Sequence, residues 1–498
     1  MSPARRRRLG PNLNWQIILP VISGTLLAAG VGMAICFGVA LAGGEGGTAA
    51  FGIPAAAAIP LGAAGLAGAG RLRSMPLRPR DGFFAVTAAW VIAAAVGAVP
   101  FLVEGTYDRV GDAFFESMSG FTTTGATLLA EVEREPDAIL LWRSVAQWIG
   151  GVGIVVLVVA IAPATGLATQ RVFHAETSGV TAERLTPRIA DTAKIIAGIY
   201  TALSLAAFGA FWVAGMTPWD AVNHGLTTIA TGGFSTRTAS LAAFDSLAIE
   251  LVAIVFMIAG AINFAFYWLA LRRRDHLWPQ AAEVRAFLLI ILGASTVVSG
   301  ILILDADGPS AAEAVRQATF TVASIASSTA YITADFDQWP EAARLGLFAL
   351  MFVGGCAGST AGGLKVIRVV LLGKAAAQEV QRQLRPKAVQ VLRVRGRTFS
   401  EEVRRGIFAF FTLYLFVFAT GTFVMGALGL DVITAASSSA AMLNVVGLGL
   451  GDIGATENFA VVPEAGRWFA ILLMLMGRLE IFTVLVLLTP AFWRPDVA

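Results

Sequence analysis

Cysteine is nearly missing from this sequence: Cys36 and Cys356 are the only two among 498 residues. Both fall in apolar stretches, so there is neither a disulfide framework nor a thiolate cluster for a metal. Histidine is as sparse, and His174, His224 and His276 stand far apart, which argues against a zinc site. Charge is the third shortage. Only 14% of residues are Asp, Glu, Lys or Arg, against about 25% in ordinary soluble domains. The acids are mostly peripheral to the apolar runs, and no catalytic constellation clusters within them, which speaks against a membrane enzyme. No nucleotide-binding motif and no cofactor site is recognisable.

What is present is apolar surface. Hydrophobic residues make up 56% of the chain, with a mean hydropathy of +0.73. Runs of about 20 apolar residues mark membrane helices, and the 53 glycines suit close helix packing in a bilayer. The class is an all-α polytopic membrane protein. The first run, Ile17 to Leu41, follows Arg5–Arg8 and ends near Ala40-Leu41-Ala42, like a signal peptide. Its length exceeds the usual 7–15-residue signal core, so we read it as a retained helix.

The net charge of +3 matters less than its layout. Basic residues gather at Arg5–Arg8, at Arg71, Arg73, Arg78 and Arg80, at Arg272–Arg274, and from Lys374 to Arg405. The alternate connections are acidic: Asp108 and Asp112, Glu131 to Asp137, Asp305 and Asp307, Asp335 and Asp337. The excess of Lys and Arg assigns the N-terminus and the basic loops to the cytoplasm. This topological reading is preferred over nucleic-acid binding for the basic block.

Four short segments repeat one pattern of hydroxyl or amide residues and a small residue. They are Thr122-Thr123-Thr124-Gly125, Ile229-Ala230-Thr231-Gly232, Ser327-Ser328-Thr329-Ala330 and Asn444-Val445-Val446-Gly447. Aligned on the last residue they recur at intervals of 107, 98 and 117 (125 to 232, 232 to 330, 330 to 447). Each follows a segment too short or too polar to span: Asp112–Gly120, Trp219–Thr228, Ala312–Ser324 and Ala435–Leu443. Such a half-span must be buried in protein or line a water-filled cavity. The chain therefore divides into two leading helices (1–80), four pseudo-symmetric helix–pore-loop–helix repeats around one pore (81–172, 190–274, 282–375 and 403–498), and a basic linker (376–402). The second long helices support the repeat. Ile149-Gly150-Gly151 and Met476-Gly477-Arg478 align, and the helices carrying them are expected to run on to Pro163 and Pro490. Met257–Gly260 and Phe352–Gly355 hold comparable places.

Stripping water from K⁺ requires several oxygens at fixed positions, which backbone carbonyls supply without net charge. Glycine lets the chain turn successive carbonyls inward, and a short helix aims its partly negative C-terminal end at the ion. Thr123, Thr124, Gly125, Ala230, Thr231, Gly232, Ser328, Thr329, Ala330, Asn444, Val445, Val446 and Gly447 are accordingly the expected K⁺-binding residues. Ala330 replaces a glycine, which predicts weaker K⁺/Na⁺ discrimination.

The run Gly354-Gly355-Cys356-Ala357-Gly358-Ser359-Thr360-Ala361-Gly362-Gly363 interrupts the helix after the third loop. It has no Gly-Lys-Ser/Thr ending, so it is not a phosphate loop. A flexible gate inside the cavity is the functional reading, a simple kink the bland one. Arg478 and Glu480 lie within the last long helix, where charges are functional candidates. Two residues apart, they do not share a face. Arg478 reads as an electrostatic barrier to cations, with neutralisation by another helix as the alternative. Lys365 is expected at the interface, and Arg143 and Arg467 as structural anchors at the outer helix ends.

Several stretches resemble the membrane subunit of the Trk/Ktr/HKT potassium-uptake superfamily, in particular its TrkH branch. They include Ser119–Thr127, Gln147–Gly151, Ala230–Thr236, Gly354–Gly363 and Gly477–Thr483. The resemblance implies a homodimer with a pore in each protomer, the glycine run as an intramembrane gating loop, and Arg478 as a pore-facing barrier. It also implies a cytosolic TrkA-like nucleotide-binding regulatory subunit on the basic face, and a bacterial inner-membrane location. A secondary transporter of an organic solute, with broken helices at the midplane, is the competing reading, as is an Na⁺-permeable cation transporter.

Overall fold

The computed structural model describes residues 13–44, 47–69, 78–161, 189–272, 278–384, 393–394, 397–398 and 401–494. Arg5–Arg8, Arg71, Arg73, Arg273, Arg274, Arg385, Lys387 and Arg395, on which the topology reading leans, lie outside these residues, as does Pro163. Asn14 opens the first helix by accepting from the Gln16 amide. Helix α1 (Trp15–Gly43) packs on α2 (Thr48–Ala69), and then on α3 (Pro79–Gly97) and α6 (Asp137–Ile161). Both leading helices are apolar all round, as lipid and protein contacts on opposite faces require.

Repeat 1 comprises α3, its short continuation α4 (Val99–Glu104), the half-span α5 (Val110–Phe121) and α6. Repeat 2 has α7 (Ile189–Val213), α8 (Pro218–Ile229), α9 (Leu247–Gly260) and α10 (Phe264–Arg272). Repeat 3 has α11 (Trp278–Leu304), α12 (Ala311–Ala326), α13 (Glu341–Met351) and α14 (Val366–Leu384). A two-residue hairpin, β1 (Arg393–Val394) with β2 (Arg397–Thr398), precedes repeat 4. That repeat has α15 (Glu401–Ala427), α16 (Val432–Asn444), α17 (Glu464–Arg478), α18 (Phe482–Leu488) and the final turn α19 (Pro490–Trp493). Among the described residues six helices are long and apolar enough to cross a membrane, or seven if the pair α9 and α10, bent by 90° at its break, is one span.

Three of the four half-spans begin at a side-chain cap. Thr217 accepts from the Asp220 amide, Ser310 from that of Glu313 and Asp431 from that of Thr434, satisfying donors that a buried helix start leaves open. The ring is built by one recurring contact. The second long helix of each repeat packs on the half-span of the next: α6 on α8, α9 on α12, α13 on α16, and α17 back on α5. Four units related this way close on themselves, which is the pseudo-symmetric architecture expected from the repeats.

The second long helix does not run on to Pro490 in repeat 4. It ends at Arg478, and a break at Leu479–Ile481, with Glu480 at φ 55°, separates it from α18. The corresponding helices of repeats 2 and 3 break as well, at 261–263 and 352–365. Only in repeat 1 is it continuous among the described residues. Broken backbone at this depth is tolerated because it is enclosed by protein.

Candidate functional site

All four half-spans end alike. The amide of Thr123 donates to the Gly120 carbonyl and that of Thr124 to the Ser119 carbonyl. The same two bonds recur from Thr231 and Gly232 to Thr228 and Thr227, from Ser328 and Thr329 to Ile325 and Ser324, and from Val445 and Val446 to Met442 and Ala441. This is the Schellman helix ending, which needs a left-handed residue just past the helix. That residue is usually glycine. Here it is Thr123 (φ 56°), Thr231 (φ 51°), Ser328 (φ 55°) and Val445 (φ 57°). Each left-handed non-glycine residue costs roughly 1–2 kcal/mol, and such strain persists only where the surroundings enforce it.

A second left-handed residue follows two positions later: Gly125 (φ 83°), Gly233 (φ 76°), Ala330 (φ 65°) and Gly447 (φ 75°). The spacing of equivalent positions is therefore 108, 97 and 117 (123 to 231, 231 to 328, 328 to 445). This corrects the register of the second loop by one: Gly233, not Gly232, matches Gly125, and Gly232 matches Thr124. Alignment on the first available glycine misled the sequence reading, because loop 2 has two in a row.

The glycines are required by the neighbouring loop. A Cβ on Gly125 would lie 2.0 Å from the Gly232 carbonyl oxygen, one on Gly233 1.8 Å from that of Thr329, and one on Gly447 2.1 Å from that of Thr124. Loops 4, 1, 2 and 3 thus follow one another around a common centre, each glycine against the middle carbonyl of the next loop. Ala330 holds the fourth such place and does carry a Cβ.

The next shell is polar and crosses every seam. Between repeats 4 and 1, Arg467 donates to Asp112 at 2.5 Å. Between 1 and 2, the fully enclosed Arg143 pairs with Glu116 at 2.9 Å, donates to the Ser235 carbonyl at 3.2 Å and lies over the Phe234 ring. Glu116 also accepts from Thr127, Tyr107 and the Leu128 amide. Between 2 and 3, Arg316 binds Glu250 through two bonds of 2.8 Å. Between 3 and 4, Asp337 accepts from Arg344 at 2.8 Å and from the Gly451 amide at 3.2 Å. Arg143 and Arg467 are anchors as expected, but they also tie the loops together. Glu116 and Gln147 were missed. A polar residue inside an apolar helix was the available signal for Gln147.

The glycine-rich run folds beneath the loops. Gly362 donates its amide to Ser328 Oγ at 2.7 Å, and a Cβ on it would lie 2.0 Å from the Asn444 carbonyl oxygen. Thr360 Oγ1 lies 3.0 Å from the carbonyls of both Ile229 and Gly260. Cys356 donates its amide to the Ala261 carbonyl, and Ala357 to the Glu283 carboxylate at 2.7 Å. The run therefore touches loops 2, 3 and 4 at once. Gly354 and Gly355 pack against its far end, Gly362 and Ala361. In the other repeats the matching helix glycines, Gly150, Gly260 and Gly477, press on the carbonyls of Phe121, Ile229 and Leu443 instead.

Arg478 comes from the opposite side. It is 5% exposed and donates to the Thr360 carbonyl at 2.6 Å and the Gly150 carbonyl at 3.0 Å. Its partners are carbonyls, its Nε is buried without a partner, and no acid forms an ion pair with it among the described residues. Glu480 pairs with Arg368 at 2.9 Å. Lys365, expected at the interface, comes just after the glycine-rich run. It is half-buried with φ 76°, and its ammonium donates to the Ala361 carbonyl of the run.

A ring of four strained loops, closed by ion pairs and hydrogen bonds across its seams and underlain by a glycine-rich segment, defines a class of polytopic membrane protein built around a common centre. Residues 61–494 match the family model TrkH, described as cation transport protein. The chain is 42% identical over 424 residues to the Trk system potassium uptake protein TrkH of Vibrio parahaemolyticus, covering 84% of this chain and 87% of that protein. It is 39% identical over 421 residues to the TrkH of Escherichia coli K12, covering 84% and 87%. The crystal structure of the Vibrio parahaemolyticus potassium transporter TrkH superposes with a TM-score of 0.87 at 38% identity, over 97% of this chain and all of that one. The chain belongs to the TrkH family of cation transport proteins, membrane transporters rather than enzymes.

Proposed function

We propose that the chain takes up K⁺ through a channel-like pore in the bacterial inner membrane, with its N-terminus in the cytoplasm. The four left-handed turns form the selectivity filter, and their carbonyls replace the hydration shell of the ion. The observation that carries this reading is the fourfold recurrence of one strained helix ending at Thr123, Thr231, Ser328 and Val445. An ordinary turn has no reason to repeat at matched positions in four repeats. The ion-contacting set is Thr123, Thr124, Gly125, Ala230, Thr231, Gly232, Ser328, Thr329, Ala330, Asn444, Val445, Val446 and Gly447, with Gly233 added by the corrected register.

The run Gly354–Gly363 is the gate, and Arg478 is both its latch and a cation barrier. With the run drawn up against loops 2, 3 and 4, the arrangement corresponds to a closed pathway. Opening requires the run to withdraw, which its glycines permit and the carbonyl bonds from Arg478 oppose. The working unit is a homodimer controlled by a TrkA-like nucleotide-binding subunit docked on the basic cytoplasmic face, the nucleotide being held by that partner. Relatives named for the Trk system support such a multi-component assembly.

Rubidium uptake into proteoliposomes, compared with sodium uptake, tests the reading. Saturable rubidium flux exceeding sodium flux supports it. Equal flux of both, or movement of an organic solute without either, sinks it.

A further inference from the structure

Loop 2 differs from the other three at its middle position. Thr124, Thr329 and Val446 are all β-branched, whereas the match in loop 2 is Gly232. Its φ is not positive, so backbone conformation does not demand glycine. Space does: a Cβ there would lie 2.3 Å from the Gln147 amide carbon and 2.4 Å from its oxygen. Gln147, fully buried on α6 of repeat 1, occupies the place of the missing side chain. Its Nε2 donates to the Gly232 carbonyl at 2.7 Å, and its Oε1 accepts from the Phe234 amide at 3.2 Å. The partners fix the amide orientation, because a carbonyl can only accept and a backbone amide only donate.

We infer that Gln147 is a specificity-positioning residue: a side chain lent by repeat 1 that orients the filter carbonyl of repeat 2 and holds the left-handed Gly233 between its two bonds. The inference rests on the filter reading above. Arg143, one helical turn away on the same face of α6, holds the next stretch of the same loop through Ser235. The second loop is thus set from outside its own repeat. The Gly232 carbonyl also lies against Gly125 of loop 1, so a rotation there disturbs two loops of the ring.

The test is the rubidium-to-sodium flux ratio in proteoliposomes of the full chain, a quantity independent of how much protein inserts. Gln147→Met removes both bonds at similar length. Gln147→Glu keeps the bond from Phe234 and sets a second acceptor oxygen against the Gly232 carbonyl in place of the donor. Gly232→Ala displaces the amide while leaving α6 intact. Each is expected to lower the ratio, by about threefold or more for each hydrogen bond lost. A wild-type ratio retained in any folded variant of Gln147 overturns the inference. So does failure of all three to fold, since a contact that only orients a carbonyl is dispensable for assembly. A wild-type protein without preference for rubidium overturns the filter reading as well, which separates the two failures.

Discussion

Arg478 of the fourth repeat donates to the carbonyl of Thr360 at 2.6 Å, and to that of Gly150 in the first repeat at 3.0 Å. One guanidinium therefore pins the glycine-rich run to the far side of the ring. Hydrogen bonds from a charged donor are worth about 1.5–3 kcal/mol. Arg478→Gln, which loses the charge and the fork, should raise basal rubidium flux about tenfold or more, since ~1.4 kcal/mol corresponds to tenfold in an equilibrium. Unchanged or lower flux in folded protein rejects both the latch and the barrier.

Gly362 sits where any side chain collides with the Asn444 carbonyl. Gly362→Ala should push the run off loop 4 and raise leak in the same assay. A drop in flux, with the protein still folded, shows that the run shapes the pathway rather than closing it.

Ala330 bears a left-handed conformation that glycine adopts at little cost. Ala330→Gly should raise the melting temperature by relieving roughly 1–2 kcal/mol of strain, and should sharpen rubidium over sodium. Constant relative fluxes refute the link between Ala330 and selectivity, whatever happens to stability.

Glu116 and Arg143 are each at most 2% exposed. Removing one partner leaves the other as an uncompensated buried charge, at a cost of about 3–5 kcal/mol. Glu116→Ala should therefore lower thermal stability in detergent far more than Arg109→Ala, whose pair with Glu464 is over half exposed on both sides. Equal melting points for the two variants contradict the assignment of Arg143 as the brace of loops 1 and 2.

The connection between α5 and α6 carries a pH-dependent contact. Partial burial pushes the Glu133 carboxyl up, but hydrogen bonds from Thr238 Oγ1 and the Thr238 amide outweigh it and hold the group below its usual range. The contribution to stability is thus complete above the ordinary carboxylate pKa and lost as the pH falls through the depressed value. Protection of the Thr238 amide against hydrogen exchange, measured relative to an unprotected amide at the same pH, should fall on acidification through that depressed value, and Glu133→Gln should abolish the dependence.

Much of this architecture was legible in the linear chain because it rests on local, repeated physics. Apolar run length sets which helices can span. Four recurrences of a short helix followed by a small residue imply a shared axis, since lipid cannot satisfy their open backbone. Those features depend on near neighbours in sequence. The register of loop 2 was not legible, because Gly232 and Gly233 look equivalent until left-handed backbone falls on one of them. The roles of Gln147, Glu116 and Lys365 were equally hidden. Gln147 is decided by a carbonyl of another repeat, that of Gly232, 85 positions away, Glu116 by the charge of Arg143 on another helix of its own repeat, and Lys365 by a left-handed turn that returns its ammonium to the Ala361 carbonyl. Composition and periodicity determined what kind of molecule this is. Which polar group answers which carbonyl was decided only when the four repeats closed their ring, because hydrogen bonds and steric exclusion act over a few ångströms and a sequence records no such distance.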